Sequence, residues 1–496
     1  MKKKELIFII STILCMNLHA QDVPNAPDFL PGPPSELSMW YVNDYAQYTW
    51  GKSVRNTSRG EQAISDMSLD LPSYLTMFSK VLGIELSYSK TPQIYSILEY
   101  GMRYGDLATQ AGQTAFFSRR PYTRLNESSL LPGSENQYSS VSSYPSAQAL
   151  TGWLCALILT EVCNDRQDQL LARGLQFGTS AVISGYSWDS DTYAGCLIAS
   201  AVLSRLHTHD GFSKMITAAK SEYEQITGTR TPATTRADDG PYIDTKDLPS
   251  SLTYLPVPPD SQCIRFAYDM MAYNDGKSIR YNDQQGQTAI DDVEYDARHF
   301  CEIYSQILGV NISASTTPEI YELINRVHPS GNAATQEAKA YYMRKRPYVQ
   351  LNEGTSYPDD EASLYDTGSY PSGHASGSWL MALVISEITR TSQDALLKRA
   401  YQFGQGRVIT GYHWQTDVEA GRLVGSVVYA RLHSSREFLE QVDKAVKEFK
   451  GLSSSIRATR ADESINTKYY TIDGIRLDQE PVRHGVYIEG NKKVAK

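Results

Sequence analysis

Three short segments between residues 339 and 417 concentrate groups able to do chemistry. The first is Lys339-Ala-Tyr-Tyr-Met-Arg-Lys-Arg346-Pro347. Lys339 and Arg346 stand seven positions apart, so on a continuous helix both would share one face, and Pro347 is expected to stop that helix. The second is Pro371-Ser372-Gly373-His374, followed by an apolar run of helical spacing. Ser372 and Gly373 then fall at a helix N-terminus, where unpaired N–H groups and the helix dipole favour an anion. Glycine there lets a ligand approach the backbone. The third is Arg407-Val-Ile-Thr-Gly-Tyr-His413-Trp-Gln-Thr-Asp417, with His413 and Asp417 four apart on an expected helix. A carboxylate on one ring nitrogen fixes the imidazole tautomer and leaves the other nitrogen free to attack.

Each segment alone has an ordinary reading: a solvated basic face, a serine cap, a surface His/Asp pair. Together they supply three cations (Lys339, Arg346, Arg407), a nest of donors at Ser372 and Gly373, and two histidines. That set suits displacement at phosphorus. Cations and N–H groups hold the equatorial oxygens, one histidine attacks, and one protonates the leaving oxygen. An alkoxide is a poor leaving group, and a positioned acid typically contributes ~10²–10⁴-fold.

The elements that must hold these groups read as helical. Ala297–Leu308, Ser376–Thr389, Asp394–Phe403 and Val418–Leu432 all place apolar residues three and four apart. The whole arrangement is also written twice. Phe29-Leu-Pro-Gly-Pro-Pro34 returns as Tyr254-Leu-Pro-Val-Pro-Pro259, Arg120-Pro-Tyr122 as Arg346-Pro-Tyr348, and Tyr144-Pro-Ser146 as Tyr370-Pro-Ser372. The offset is 225 at the first pair and 226 at the later ones. So long a period predicts two copies of one fold rather than a solenoid. The expected plan is all-α: a first bundle over 28–227, a linker over 228–253, a second bundle over 254–450, and a tail over 451–496. In the tail, Tyr470–Leu477 with Asp473-Gly474 and Gly485–Ile488 with Gly490-Asn491 predict short hairpins.

A chain of 496 residues is long enough for two or three cores. Its formal charge of −9 disfavours a nucleic-acid partner. Residues 1–20 have the plan of an export signal: Lys2, Lys3 and Lys4, an apolar run from Leu6 to Leu18, then Ala20. The run is too short to span a membrane comfortably. No later stretch reads as a transmembrane helix, so a periplasmic or secreted protein is expected. Cys155, Cys163, Cys196, Cys263 and Cys301 follow no zinc spacing. Core positions are expected for them, with room for one disulfide.

The three segments resemble the bacterial class A non-specific acid phosphatases, within the type-2 phosphatidic acid phosphatase and vanadium haloperoxidase superfamily. That signature is Lys-x6-Arg-Pro, then Pro-Ser-Gly-His, then Ser-Arg-x5-His-x3-Asp. The second copy departs from it at one position, Gly406 in place of the serine. The resemblance also takes in Ser369–His374, Gly411–Asp417 and Pro258-Pro259. It implies an all-α bundle and metal- and cofactor-free hydrolysis of small phosphomonoesters. His413 would form a phosphohistidine, Asp417 would orient it, and His374 would act as acid and then base. Lys339, Arg346, Ser372, Gly373 and Arg407 would bind phosphate. At the same offset the first copy has Gln113, Gln148, Ala181 and Ser187 where the second has Lys339, His374, Arg407 and His413. It keeps Arg120, Ser146 and Asp191. The first copy is therefore expected to be non-catalytic and to pack on the second as a pseudo-dimer, with His207 and His433 structural. A vanadate-dependent haloperoxidase and a non-catalytic phosphate-binding scaffold are the alternatives. Asn352, Glu353 and Trp414 are candidates for a substrate rim. The tail resembles C-terminal sorting segments of some secreted Gram-negative proteins.

Overall fold

A computed structural model describes residues 23–38, 40–229, 240–465 and four short segments of the tail, with side chains to Leu452. The export segment, the middle of the linker and the Asp473-Gly474 and Gly490-Asn491 turns lie outside the described residues.

The chain is all-α up to the tail. Ala297–Leu308 forms the amphipathic helix expected for it. The other apolar runs lie inside Gly373–Thr389, Gln393–Ile409 and Gln415–Leu432. In the first half, helices Leu71–Leu82, Ala147–Val162, Gln167–Ser184 and Asp189–His207 stand at the corresponding places. Among the described residues no helix is long and apolar enough to cross a membrane. In the tail, Tyr469–Thr471 pairs antiparallel with Arg476–Leu477 and with Val486–Glu489, and the latter pairs with Lys492–Ala495.

The central helices Ala147–Val162 and Gly373–Thr389 are apolar all round and almost wholly buried. Such a helix must be covered on every side. Part of that cover comes from the opposite half. Trp379 donates its indole N–H to Ser200 Oγ (3.1 Å), and Ser204 donates to the Leu383 carbonyl (2.8 Å). Most buried apolar residues of both halves form one continuous cluster, with Ala272, Ala375, Val408 and Val418 in a small separate one.

The leading segments cross over as well. The Asn25 N–H donates to Asp394 (3.1 Å), and the corresponding Ser250 N–H donates to Asp168 (2.9 Å). Tyr144 donates to the Pro31 carbonyl (2.6 Å) and Tyr370 to that of Pro256 (2.5 Å). Each arm is thus held by a tyrosine of its own half and seated on a helix of the other.

Two expectations need correction. The helix carrying Lys339 is short, Gln336–Tyr342, and closes with Met343 in the left-handed region (φ 43°). Lys339 and Arg346 therefore do not share a helical face. Pro347 begins the next helix, Pro347–Leu351, at a position where its missing N–H costs nothing. Where the first half runs unbroken over Pro92–Ala115, the second breaks after Ala333. There the Asn332 carbonyl is taken by the Thr335 N–H, the Thr335 hydroxyl and the Gln336 amide. Second, all five described cysteines are free: four are buried and Cys263 is exposed.

Candidate active site

Three helix ends and one loop bring the residues together. Ser372 caps Gly373–Thr389, its hydroxyl accepting from the Ala375 N–H (3.4 Å). Its own N–H donates to the Asp417 carbonyl (2.8 Å), which ties this helix start to that of Gln415–Leu432. Gly421 allows the approach, since a Cβ there would meet the Ser372 carbonyl at 2.4 Å. A Cβ on Gly373 would meet Asn332 Oδ1 at 2.2 Å. At Gly421 the neighbour is backbone, so glycine is required; at Gly373 the Asn332 side chain would have to turn aside.

His413 precedes its helix rather than lying within it, with Trp414 as the capping residue. The His413 ring is buried and its Nδ1 faces Asp417 Oδ2 at 3.4 Å. Its Nε2 lies 3.2 Å from Arg346 Nη1. A guanidinium only donates, so Nε2 is the acceptor and the ring proton sits on Nδ1, toward the carboxylate. Burial, with Arg346 and Lys339 nearby, lowers the His413 pKa well below the usual imidazole value against the pull of Asp417. The Nε2 lone pair is thus kept free of protons.

Asp417 is fully buried, which alone would raise its pKa. Arg344 at 2.6 Å and the bond with His413 outweigh burial and hold the carboxyl well below its ordinary range. Arg344 also reaches Asp269, whose carboxylate receives the Thr416 N–H (2.8 Å) and its hydroxyl (2.9 Å). Neither Arg344 nor Asp269 was singled out from the sequence. One signal was available: Arg344 aligns with Ser118, so it is another charged group that the first half lacks.

The cations converge through the loop after Leu364. Lys339 Nζ donates to the carbonyls of Gly368 (3.1 Å) and Ser369 (3.4 Å). Arg346 donates to Thr367 Oγ1 (3.1 Å) and to the same Gly368 carbonyl (3.4 Å). Burial and the Arg346 charge bring the Lys339 pKa down to about 7. Arg407 is 2% exposed, with its guanidinium over the Tyr412 ring (4.3 Å). Its Nε and Nη1 are buried without a hydrogen-bond partner. Burial, with Arg346 next, lowers the Arg407 pKa to about 10. Buried donors without partners cost free energy, and an anion would relieve that cost.

His374 is partly exposed, and its ring lies against Tyr295 (4.7 Å) and Phe403 (6.0 Å). Its Nε2 donates to the Val293 carbonyl (3.3 Å). Burial, then Arg407 and His413, lower its pKa well below the ordinary value. All eight candidate residues therefore belong to one connected group. Of the rim candidates, Asn352 is exposed and Trp414 is excluded by burial. Trp414 is fully buried, donating to the Lys345 carbonyl (2.9 Å), and Glu353 is held by Tyr273 and Lys277.

In the first half the corresponding place holds a cavity of about 250 Å³ that includes Gln113, Arg120 and Gln148 in its lining. There Arg120 is spent on three carbonyls, those of Tyr138 (3.1 Å), Tyr186 (2.9 Å) and Ser142 (3.1 Å). Ser187, in the place of His413, donates to Ser146 (3.0 Å).

Residues 329–439 match a family model described as the PAP2 superfamily. A non-specific acid phosphatase of Providencia stuartii is 41% identical over 209 residues, covering 42% of this chain and 84% of that protein. A non-specific acid phosphatase of Salmonella typhi is 39% identical over 216 residues, covering 43% and 86%. An acid phosphatase of Zymomonas mobilis is 29% identical over 204 residues, covering 41% and 77%.

Proposed function

The chain belongs to the non-specific acid phosphatases of the PAP2 superfamily and is a phosphoric monoester hydrolase, and we propose that it works through a phosphohistidine on His413 without a metal. The observation that carries this reading is the relay from Arg346 to His413 Nε2 to Asp417. A phosphoryl group held by Arg346, Lys339, Arg407 and the Ser372-Gly373 helix start would lie beside an unprotonated nitrogen.

In the first step Nε2 forms a bond to phosphorus while the bond to the ester oxygen breaks. His374 gives its proton to the leaving alkoxide. In the second step His374 takes a proton from water, the oxygen attacks phosphorus, and the N–P bond returns its electron pair to Nε2. Asp417 stabilises the positive ring between the steps. Burial holds both His413 and His374 well below the usual imidazole range, so the neutral form of His413 that attack requires persists as pH falls.

The substrates we infer are small phosphomonoesters. The first half acts as a non-catalytic partner packed on the second as a pseudo-dimer. The plan of residues 1–20 supports a periplasmic or secreted location, and the tail supports surface sorting. Cell fractionation with and without residues 469–496 separates the last two. The mechanism is tested by para-nitrophenyl phosphate turnover in EDTA, with acid-quench trapping of labelled enzyme. Wild type should hydrolyse and carry label, and His413→Ala should do neither. Turnover lost in EDTA and restored by metal would overturn the metal-free reading. Unchanged turnover in His413→Ala would overturn the assignment of the nucleophile.

A further inference from the structure

Four ionisable side chains meet in the core between the two halves. Glu161 and His207 come from the first half; Glu387 and His433 stand 226 positions later. The two imidazoles stack with centroids 3.7 Å apart. His207 Nε2 lies 3.0 Å from Glu161 Oε1, and His433 Nε2 lies 3.0 Å from Glu387 Oε2. One ligand atom from each of Glu161, His207 and His433 fits within a mutual distance of 4.8 Å. The carboxylates are 0% and 6% exposed. Buried charge is costly unless it is matched, and here the matching falls to the two His–Glu pairs themselves, with one carboxylate oxygen left unpartnered.

Two details point to a ligand. Glu161 Oε2 and His207 Nδ1 are buried with no hydrogen-bond partner. His433 is also held as a metal-ligating histidine is held. Its Nδ1 donates to the Tyr429 carbonyl (2.9 Å), which leaves Nε2 pointing at the carboxylates. The Tyr429 hydroxyl in turn donates to Glu387 Oε2 (2.9 Å).

We propose that Glu161, His207, His433 and Glu387 form a structural zinc-class metal site that clamps the first half of the chain to the second. Imidazole nitrogen and carboxylate oxygen suit Zn²⁺, and four protein ligands leave no open catalytic position. Two carboxylates and two neutral imidazoles balance the dication. The bond changes also balance: Zn²⁺ enters and the protons bridging the His–Glu pairs leave, so affinity rises with pH. A tetrahedral shell with bonds of ~2.0–2.1 Å has edges of about 3.3 Å. The ligand atoms of Glu161, His207 and His433 therefore draw in by up to about 1.5 Å by side-chain rotation, and Glu387, 3.0 Å from His433 Nε2, completes the shell.

The test uses the full-length chain, unfolded and refolded either with zinc sulfate or with EDTA, then gel-filtered. Metal content is read by plasma mass spectrometry, and a parallel cobalt sample by its visible absorption. The expected result is about one zinc per chain, four-coordinate cobalt bands, and a higher Tm for the zinc sample. Tyr429→Phe keeps all four ligands and should weaken zinc binding about tenfold. His207→Gln/His433→Gln should abolish it. Wild type that retains no zinc and gains no Tm overturns the proposal, as does a double variant that binds zinc like wild type. The wild-type measurement decides the matter even where the double variant does not fold.

Discussion

Asp417 and Asp191 occupy the same place in the two halves and behave oppositely. Both lie in the first turn of a buried helix, and both receive the N–H of the preceding tryptophan, at 2.9 and 2.7 Å. Burial raises Asp191 to about 7, and the Trp188 N–H and Arg120 only partly offset it. Burial acts on Asp417 too, but Arg344 and His413 outweigh it and the carboxyl stays ionised. The first half therefore lacks more than its histidines. Its carboxylate has lost the cation that kept it charged, and its arginine, which like Arg346 donates to backbone carbonyls, has no imidazole beside it. Recovering such a site would mean restoring a field as well as a nucleophile.

That contrast can be attacked at several depths. His413→Ala, which removes the proposed nucleophile as Ser187 does in the first half, should lower kcat by about 10⁴-fold or more in initial-rate assays. If the first half contributed catalysis, a larger residue of activity would survive. Arg344→Ser copies Ser118 and should cost about 10²-fold in kcat, because it leaves a buried carboxylate unpaired. The sign of its pH effect follows from the raised carboxyl pKa. Asp417 would take up a proton as pH falls, so an acid limb should appear in the pH–rate profile that wild type lacks. Arg344→Lys should recover part of the loss.

Lys339 gives a smaller effect at the alkaline end. With its free-state pKa at about 7, the ammonium is lost as pH rises past that value. Inhibition by inorganic phosphate should then weaken by at most about tenfold per pH unit. Lys339→Arg should move that limb to higher pH. The smallest change is expected from rebuilding the first half. Gln113→Lys/Gln148→His/Ala181→Arg/Ser187→His, made in a His413→Ala background, should restore no measurable turnover, since Ser118 remains and Asp191 still lacks the cation that Arg344 supplies to Asp417. Turnover by that variant would break the electrostatic account.

Spacing and residue type made much of this legible in the sequence. Ala297–Leu308 follows from apolar periodicity, and Ser372 as a cap follows from its place before an apolar run. The eight site residues could be grouped because phosphoryl chemistry demands cations, donors and a base together. Other features were hidden for physical reasons. The break after Ala333 comes from a carbonyl diverted to Thr335 and Gln336, which no periodicity records. Arg344 looked like one more charge on a basic stretch until its two carboxylate partners, 75 and 73 positions away, were placed beside it. Trp414 seemed suited to a rim by composition, but its indole N–H is used inside, against Lys345.

The crossed arms have a bearing on dilution. In an assembly of separate chains, a seat such as Asn25 on Asp394 would empty as protein became scarce. Here both seats lie on one polypeptide, so the local concentration of each arm is set by chain connectivity. Activity per molecule should hold however dilute the protein becomes. Each arm also needs to fit one seat only. Gly32 in the first and Val257 in the second can therefore differ, whereas in two identical chains a single residue would have to serve both places.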